Sequence, residues 1–192
     1  MDTQEKYMST LLDRYFKLVS HSKFLMISAA VYLLSQITIA QILGPLGELT
    51  VLELQTTFSP ARFLEIINHW QATDLMKHYY AHFTFDHVHP IWYSIFLSSL
   101  LAFSMKRDGL DAKYRILLLV PFIAGFCDVI ENLSHVWFLE DLTRLESSVF
   151  YIAATACWIK WVGFIGSFVF ALVSFIQYRL GNNSNQSLAN GK

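Results

Sequence analysis

The hydrophobic residues of this chain are concentrated in four long runs, which predict four membrane-spanning helices. Residues 24–43 contain no charged side chain, and a helix of about 20 residues crosses a hydrocarbon core roughly 30 Å thick. The other three runs are residues 90–105, 116–138 and 148–178. The predicted fold is therefore an all-α integral membrane protein built as a four-transmembrane-helix bundle.

The segment between the first two runs, residues 44–89, is predicted to form a short helical extracytoplasmic cap. Ser59 before Pro60 and Thr73 before Asp74 are helix start signals. Apolar residues at three- and four-residue spacing follow each signal, so two short amphipathic helices are expected. Their apolar faces would pack on the outer rim of the bundle.

The two ends of the chain are predicted to differ in structure. Residues 7–19 place apolar side chains on one helical face, which is typical of an interfacial helix lying on a membrane. Residues 181–192 are polar and rich in asparagine and serine, which predicts a disordered tail. Residues 1–180 would then be a single transmembrane domain.

The composition agrees with a membrane protein. Hydrophobic residues make up 54% of the chain and charged residues 15%, whereas about a quarter of a typical soluble domain is charged. The formal net charge of -1 argues against a nucleic-acid partner, which would require a basic surface. Both cysteines, Cys127 and Cys157, lie in apolar runs, so no disulfide framework is predicted.

Lysine and arginine are unevenly distributed between the two sides of the predicted bundle. They are concentrated in the N-terminal segment, in residues 106–115 and after the fourth run, while acidic residues prevail in residues 48–86 and 140–146. The positive-inside rule then predicts that both termini are cytoplasmic. The pattern fits a bacterial inner membrane and a eukaryotic endomembrane equally.

The third run contains four polar residues that share one helical face. At 100° per residue, Asp128, Glu131, Asn132 and His135 fall within an arc of about 100°. Lys160 is the charged residue at comparable depth in the fourth run. Each ionisable group in hydrocarbon costs roughly 2.5–3.5 kcal/mol on insertion scales, so an ion pair between Asp128 and Lys160 is expected.

Four polar groups exceed what one lysine can satisfy, which favours a polar cavity in the bundle. The catalytic candidates have carboxylate or imidazole groups on the stripe: Asp128, Glu131 and His135. The ligand-binding candidates are polar or aromatic residues expected around the same cavity: Asn132, Lys160, Asp86, Trp158 and Trp161. In this hypothesis Lys160 keeps one carboxylate ionised, and like-charge repulsion keeps the other neutral.

A metal site is a minority alternative. If residues 79–90 were continuous helix, four potential ligands would share a face: His78, His82, Asp86 and His89. Pro90 and the stretch 84–88 predict a break in that helix, and no HExxH motif occurs. No metal or cofactor is therefore predicted.

The predicted function is binding of a lipid or amphipathic small molecule in the buried polar cavity, with carboxylate acid/base chemistry as an extension. Whether the protein is an enzyme stays open. The expected partners are membrane lipid and a lipid-like ligand. The alternative is a non-catalytic structural or accessory membrane subunit, in which the buried Asp128–Lys160 pair only fixes helix packing.

Overall fold

The computed structural model describes the backbone of residues 3–110 and 112–190, and its side chains at 11–47, 50–110 and 112–180. All regular elements in that part of the chain are helical, without a strand. The α-helices are α1 (Thr3–Val19), α2 (Ser22–Leu43), α3 (Glu48–Thr56), α4 (Pro60–Ala72), α5 (Met76–Asp86), α6 (His89–Asp108), α7 (Val120–Glu140) and α8 (Ser148–Asn190). Short 3₁₀ segments lie at Gly44–Leu46, Ala112–Leu119 and Leu142–Glu146.

Three helical segments are long and apolar enough to cross a membrane: Ser22–Leu46, Ala112–Glu140 and Ser148–Leu180. Helices α5 and α6 are long and apolar enough only when they are taken together. They add a fourth span if this pair, which is bent by 53°, is counted as one. Large apolar side chains point outward on these helices, with Met26, Phe126 and Val162 each about two-thirds or more exposed. Apolar surface of this extent is typical of a membrane protein.

The long helices pack as a bundle with an incomplete perimeter. Helix α7 packs against both α6 and α8, while α2 packs against α5 and α6. The backbones of α2 and α8 lie apart along most of their length, and the two helices approach each other through the rings of Tyr32 and Phe164, whose centroids are 6.4 Å apart. A gap therefore remains between α2 and α8.

The helices α3 and α4 lie at the end of the bundle where α7 ends and α8 begins. Phe63 and Trp70 of α4 are fully buried in one apolar cluster with Phe138 of α7 and Phe150 of α8. The predicted start of α4 is confirmed, because the Ser59 side chain accepts a hydrogen bond from the backbone N–H three residues later. Helix α3 was not predicted, because Gly47 before it offers no side-chain cap.

The predicted start of α5, with Thr73 as its N-cap, is two residues too early. Asp74 has a left-handed backbone conformation, with φ of 58°, so the chain turns there and α5 begins at Met76. The predicted break between residues 84 and 88 is confirmed, because α5 ends at Asp86 and α6 begins at His89.

The α-helix in the third predicted run begins later than residue 116, where it was expected. Residues 112–119 are 3₁₀, and α7 begins at Val120 with Pro121 in its first turn. Proline has no N–H to donate and its ring crowds the carbonyl four residues earlier, so the α-helical hydrogen bonding cannot continue through it.

The fourth run continues beyond its predicted end. In the structure α8 runs from Ser148 to Asn190, so the backbone of residues 181–190 is helical where a disordered tail was predicted. No proline interrupts these residues, and adding a residue to an existing helix is easier than starting one.

Candidate functional site

The polar stripe of α7 faces α8 and α5. The spacing predicted that its four residues share one face, but not that α5 lies against it. Asp128, Glu131, Asn132 and His135 are all buried, with at most 4% of each residue exposed. Lys160 of α8 is 7% exposed. The fold therefore brings the predicted polar residues of the two helices into one buried cluster.

Lys160 binds two carboxylates at once. Its Nζ lies 2.6 Å from Glu131 Oε2 and 3.2 Å from Asp128 Oδ1. The sequence predicted the pairing with Asp128 but not the shorter contact with Glu131. The Nζ also lies 5.6 Å from the centroid of the Trp161 ring, within the range of a cation–π contact.

Helix α5 contributes to the same cluster, because its C-terminal end reaches α7. The Asn132 side-chain amide donates to the Asp86 backbone carbonyl at 3.3 Å and to Asp128 Oδ1 at 3.4 Å. The Tyr79 hydroxyl and His135 Nδ1 are 2.9 Å apart. These contacts hold the α5 end of the bent α5–α6 pair against the α7 stripe.

A cavity of about 310 Å³ opens beside this cluster, in the gap between α2 and α8. We call it the lateral cavity. Its floor is formed by the polar side chains Asp86, His89, Tyr93, Asp128 and Lys160. Its walls are mostly apolar and come from α2, α3 and α8: Ile39, Leu43, Val51, Leu52 and Phe164. The polar side chains Gln36 and Gln55 also line them.

The lateral cavity reaches the outer surface of the bundle. Its lining includes Ala40 of α2, which is exposed, and Leu52 of α3, which is 42% exposed. Helix α3 packs against α8 and lines the cavity as well, so the opening is bounded by α2, α3 and α8. A ligand could enter the lateral cavity from the side of the bundle rather than along its axis.

The predicted site residues divide into two groups relative to this cavity. Asp128, Lys160, Asp86 and Trp161 line it. The others do not line it. Glu131, Asn132 and His135 are buried behind its floor. Trp158 is half exposed, and its indole N–H donates to the Thr56 carbonyl.

Two further residues of the floor were not predicted as ligand contacts. His89 Nδ1 is 2.9 Å from the Ser35 hydroxyl, so that ring nitrogen is already engaged. Tyr93 is 2% exposed, and its hydroxyl has no hydrogen bond of normal geometry although it lies beside Asp128. The sequence signal for both was the four-residue spacing of His89 and Tyr93 on one face of α6.

The described residues contain no group of three or more His, Cys, Asp or Glu side chains placed to hold a metal ion. Of the four minority candidates, His82 Nε2 and Asp86 Oδ2 are 3.9 Å apart. His89 is instead paired with Ser35, beyond the break between α5 and α6. His78 lies two turns before Asp86 and is only half-buried.

Comparisons with protein-family models, with curated proteins and with solved structures found no significant match to this chain. The functional argument therefore depends on the residues and geometry of the lateral cavity alone.

Proposed function

We propose that the protein is a multi-pass membrane protein that binds a lipid-like amphiphile in the lateral cavity. The observation that carries this proposal is the combination of a buried polar floor, apolar walls and a lateral opening in one cavity. A pocket of this kind orients a ligand through a few polar groups and buries its apolar part against the walls. In a bilayer, the opening between α2 and α8 would face the acyl chains.

The cavity itself supports a ligand over a purely structural role. The Asp128–Lys160 pair joins α7 to α8 in either account. Packing alone gives no reason for an opening of about 310 Å³ beside that pair, with Asp86 and His89 also in its lining. A ligand with a polar head group would contact these floor residues.

If the protein also performs acid/base chemistry on the ligand, the residues that carry it are those of the cavity floor. Asp86, Asp128 and His89 are the carboxylate and imidazole groups that line the cavity, so they are the ones placed to exchange a proton with a bound molecule. Glu131 lies behind them and would act only by positioning Lys160, through the 2.6 Å contact. We therefore propose Asp128 as the group that touches the ligand and Glu131 as a positioning residue.

Filling the cavity tests the binding function. Ala40→Trp places a large side chain in the lining, and it should abolish binding of the neutral probe dodecanol, measured by native mass spectrometry in a non-ionic detergent. Ala30→Trp is the matched control, because Ala30 is also exposed on α2 but does not line the cavity. Equal dodecanol binding by both variants and the unchanged protein would contradict the proposal and favour the accessory-subunit alternative.

The proposed topology has both termini in the cytoplasm and α3 and α4 as an extracytoplasmic cap, with α1 on the inner membrane surface. It is supported by the basic residues near the α6–α7 connection and by the acidic residues of α3. Cysteine placed at Asp74 should react with a membrane-impermeant maleimide in intact cells, and cysteine at Lys106 only after permeabilisation.

The labelling background should be low because both native cysteines, Cys127 and Cys157, are buried. The unchanged protein is the control for that background. The reverse labelling order would overturn the orientation while leaving the cavity proposal intact.

A further inference from the structure

The charges around the lateral cavity are unbalanced. Three carboxylates, Asp86, Asp128 and Glu131, are buried in and behind its floor, and Lys160 is the one lysine or arginine that the described part of the chain places against them. Uncompensated charge is costly in a low-dielectric interior. Burial and like-charge repulsion keep the excess carboxylates protonated unless a second cation is bound, so the cluster can accept an additional positive charge.

Lys160 has little capacity left to bind an anion. Its ammonium already contacts Glu131 at 2.6 Å and Asp128 at 3.2 Å. An anionic head group at the floor would also approach the carboxylates of Asp86 and Asp128, which line the cavity. Like charges at that distance repel strongly when they are buried.

Asp86 is the carboxylate with the weakest compensation. Its nearest cationic candidate among the described residues is His82, at 3.9 Å, which is beyond hydrogen-bond distance. The Asn132 amide donates to the Asp86 backbone carbonyl and also interacts with its carboxylate, which Lys160 attracts from beyond ion-pair distance. Asp86 thus presents a carboxylate to the cavity that a donor group on a ligand could bind.

The size and walls of the cavity limit the apolar part of the ligand. A volume of about 310 Å³ is at the lower end of the range for small-molecule pockets, roughly 300–1,000 Å³. The apolar walls run along one groove between α2 and α8. This space suits one alkyl chain better than the two chains of a membrane phospholipid.

We propose that the ligand is a single-chain amphiphile with a protonated amine head group, bound between the carboxylates of Asp86 and Asp128. This inference rests on the proposed binding function of the lateral cavity. The ammonium adds one positive charge and donates hydrogen bonds, including one to the Tyr93 hydroxyl oxygen. The rings of Trp161 and Phe164 lie in the same lining, and the face of an aromatic ring attracts a cation.

Three probes with the same alkyl chain and different head groups test the inference on the unchanged protein. Dodecylamine, dodecanol and dodecanoate would each be titrated in a non-ionic detergent at neutral pH and the bound fraction read by native mass spectrometry. Dodecylamine should bind about tenfold to a hundredfold more tightly than dodecanol, as expected for a charge-assisted hydrogen bond. Dodecanoate should bind most weakly.

The outcomes separate this inference from the proposed function. Dodecanoate or dodecanol binding as tightly as dodecylamine, and competing for the cavity blocked by Ala40→Trp, would overturn the amine inference and leave the binding function standing. Binding of none of the three would overturn both. Binding of dodecylamine unchanged by Ala40→Trp would place it outside the cavity and also overturn the inference.

A pair of variants locates the head group. Asp86→Asn should reduce the preference for dodecylamine over dodecanol to less than a few-fold, because the amide cannot form an ion pair. Asp74→Asn removes an exposed carboxylate outside the cavity and should leave the preference unchanged. A preference retained in a folded Asp86→Asn protein would contradict the placement between the two carboxylates.

Discussion

Replacing Lys160 with methionine is expected to lower the free energy of unfolding by about 3–5 kcal/mol, because it leaves buried carboxylates without their cation. Both Asp128 and Glu131 contact this ammonium, and both are at most 3% exposed. The change should appear as a large drop in the thermal or denaturant midpoint of the detergent-solubilised protein.

The matched control is Lys77→Met. Lys77 also pairs with an aspartate, Asp74, but their side chains are 62% and 85% exposed, so the change should cost no more than about 1 kcal/mol. A loss for Lys160→Met as small as for this control would mean that the buried charges do not stabilise the bundle.

Second replacements test how the two carboxylates share the lysine. Adding Asp128→Asn and Glu131→Gln to Lys160→Met removes the unpaired charges, so the triple variant should be more stable than Lys160→Met alone. Asp128→Asn alone should cost less than Lys160→Met, because Glu131 retains its 2.6 Å contact with the ammonium. Additive effects of the three replacements would contradict a shared network.

Gly125→Ala is expected to destabilise the protein by about 1–3 kcal/mol through overpacking between α6 and α7. A Cβ at Gly125 would lie 2.5 Å from the Ser94 hydroxyl oxygen and 3.1 Å from the Pro90 carbonyl oxygen. The serine could rotate away only by losing its hydrogen bond to the Pro121 carbonyl at 2.7 Å, and the Pro90 oxygen belongs to the backbone. Chemical or thermal unfolding in detergent measures the effect.

The control for this prediction is Gly166→Ala on α8. No atom lies within 4 Å of the Cβ position there, and alanine is favoured over glycine within a helix by roughly 0.5–1 kcal/mol. The variant should therefore be as stable as the unchanged protein or slightly more stable. Combining Gly125→Ala with Ser94→Ala should recover part of the lost stability. Failure of that rescue would place the strain at the backbone oxygen instead.

The helices were largely predictable from the sequence because apolar runs and start signals act locally. Residues 24–43 and the cap at Ser59 agree with α2 and α4 within one or two residues. The positions that differ depend on single backbone events, such as the left-handed turn at Asp74 and the missing N–H of Pro121. Helix α3 follows a glycine without a capping side chain, so the start rules did not reveal it.

The sequence predicted which residues form the polar cluster, but not which of them line the cavity and which are buried behind its floor. The 3.6-residue period places Asp128 and Glu131 on one face of α7. Which of them reaches a cavity depends on how α2, α6 and α8 are arranged around that face, and no local pattern encodes the gap between α2 and α8. Tyr93 and His89 were missed as ligand contacts for the same reason.

If α7 and α8 span a membrane as proposed, the contacts of Lys160 also bear on how the chain enters the bilayer. Helices α7 and α8 are joined only by the short segment Leu142–Glu146 and its flanking residues. Inserted one at a time, each would expose ionised groups to hydrocarbon at a cost of roughly 2.5–3.5 kcal/mol per group. Inserted together as a hairpin, the carboxylates of α7 and the ammonium of α8 neutralise one another during translocation. Membrane integration of α7 is therefore expected to wait for synthesis of α8 as far as Lys160.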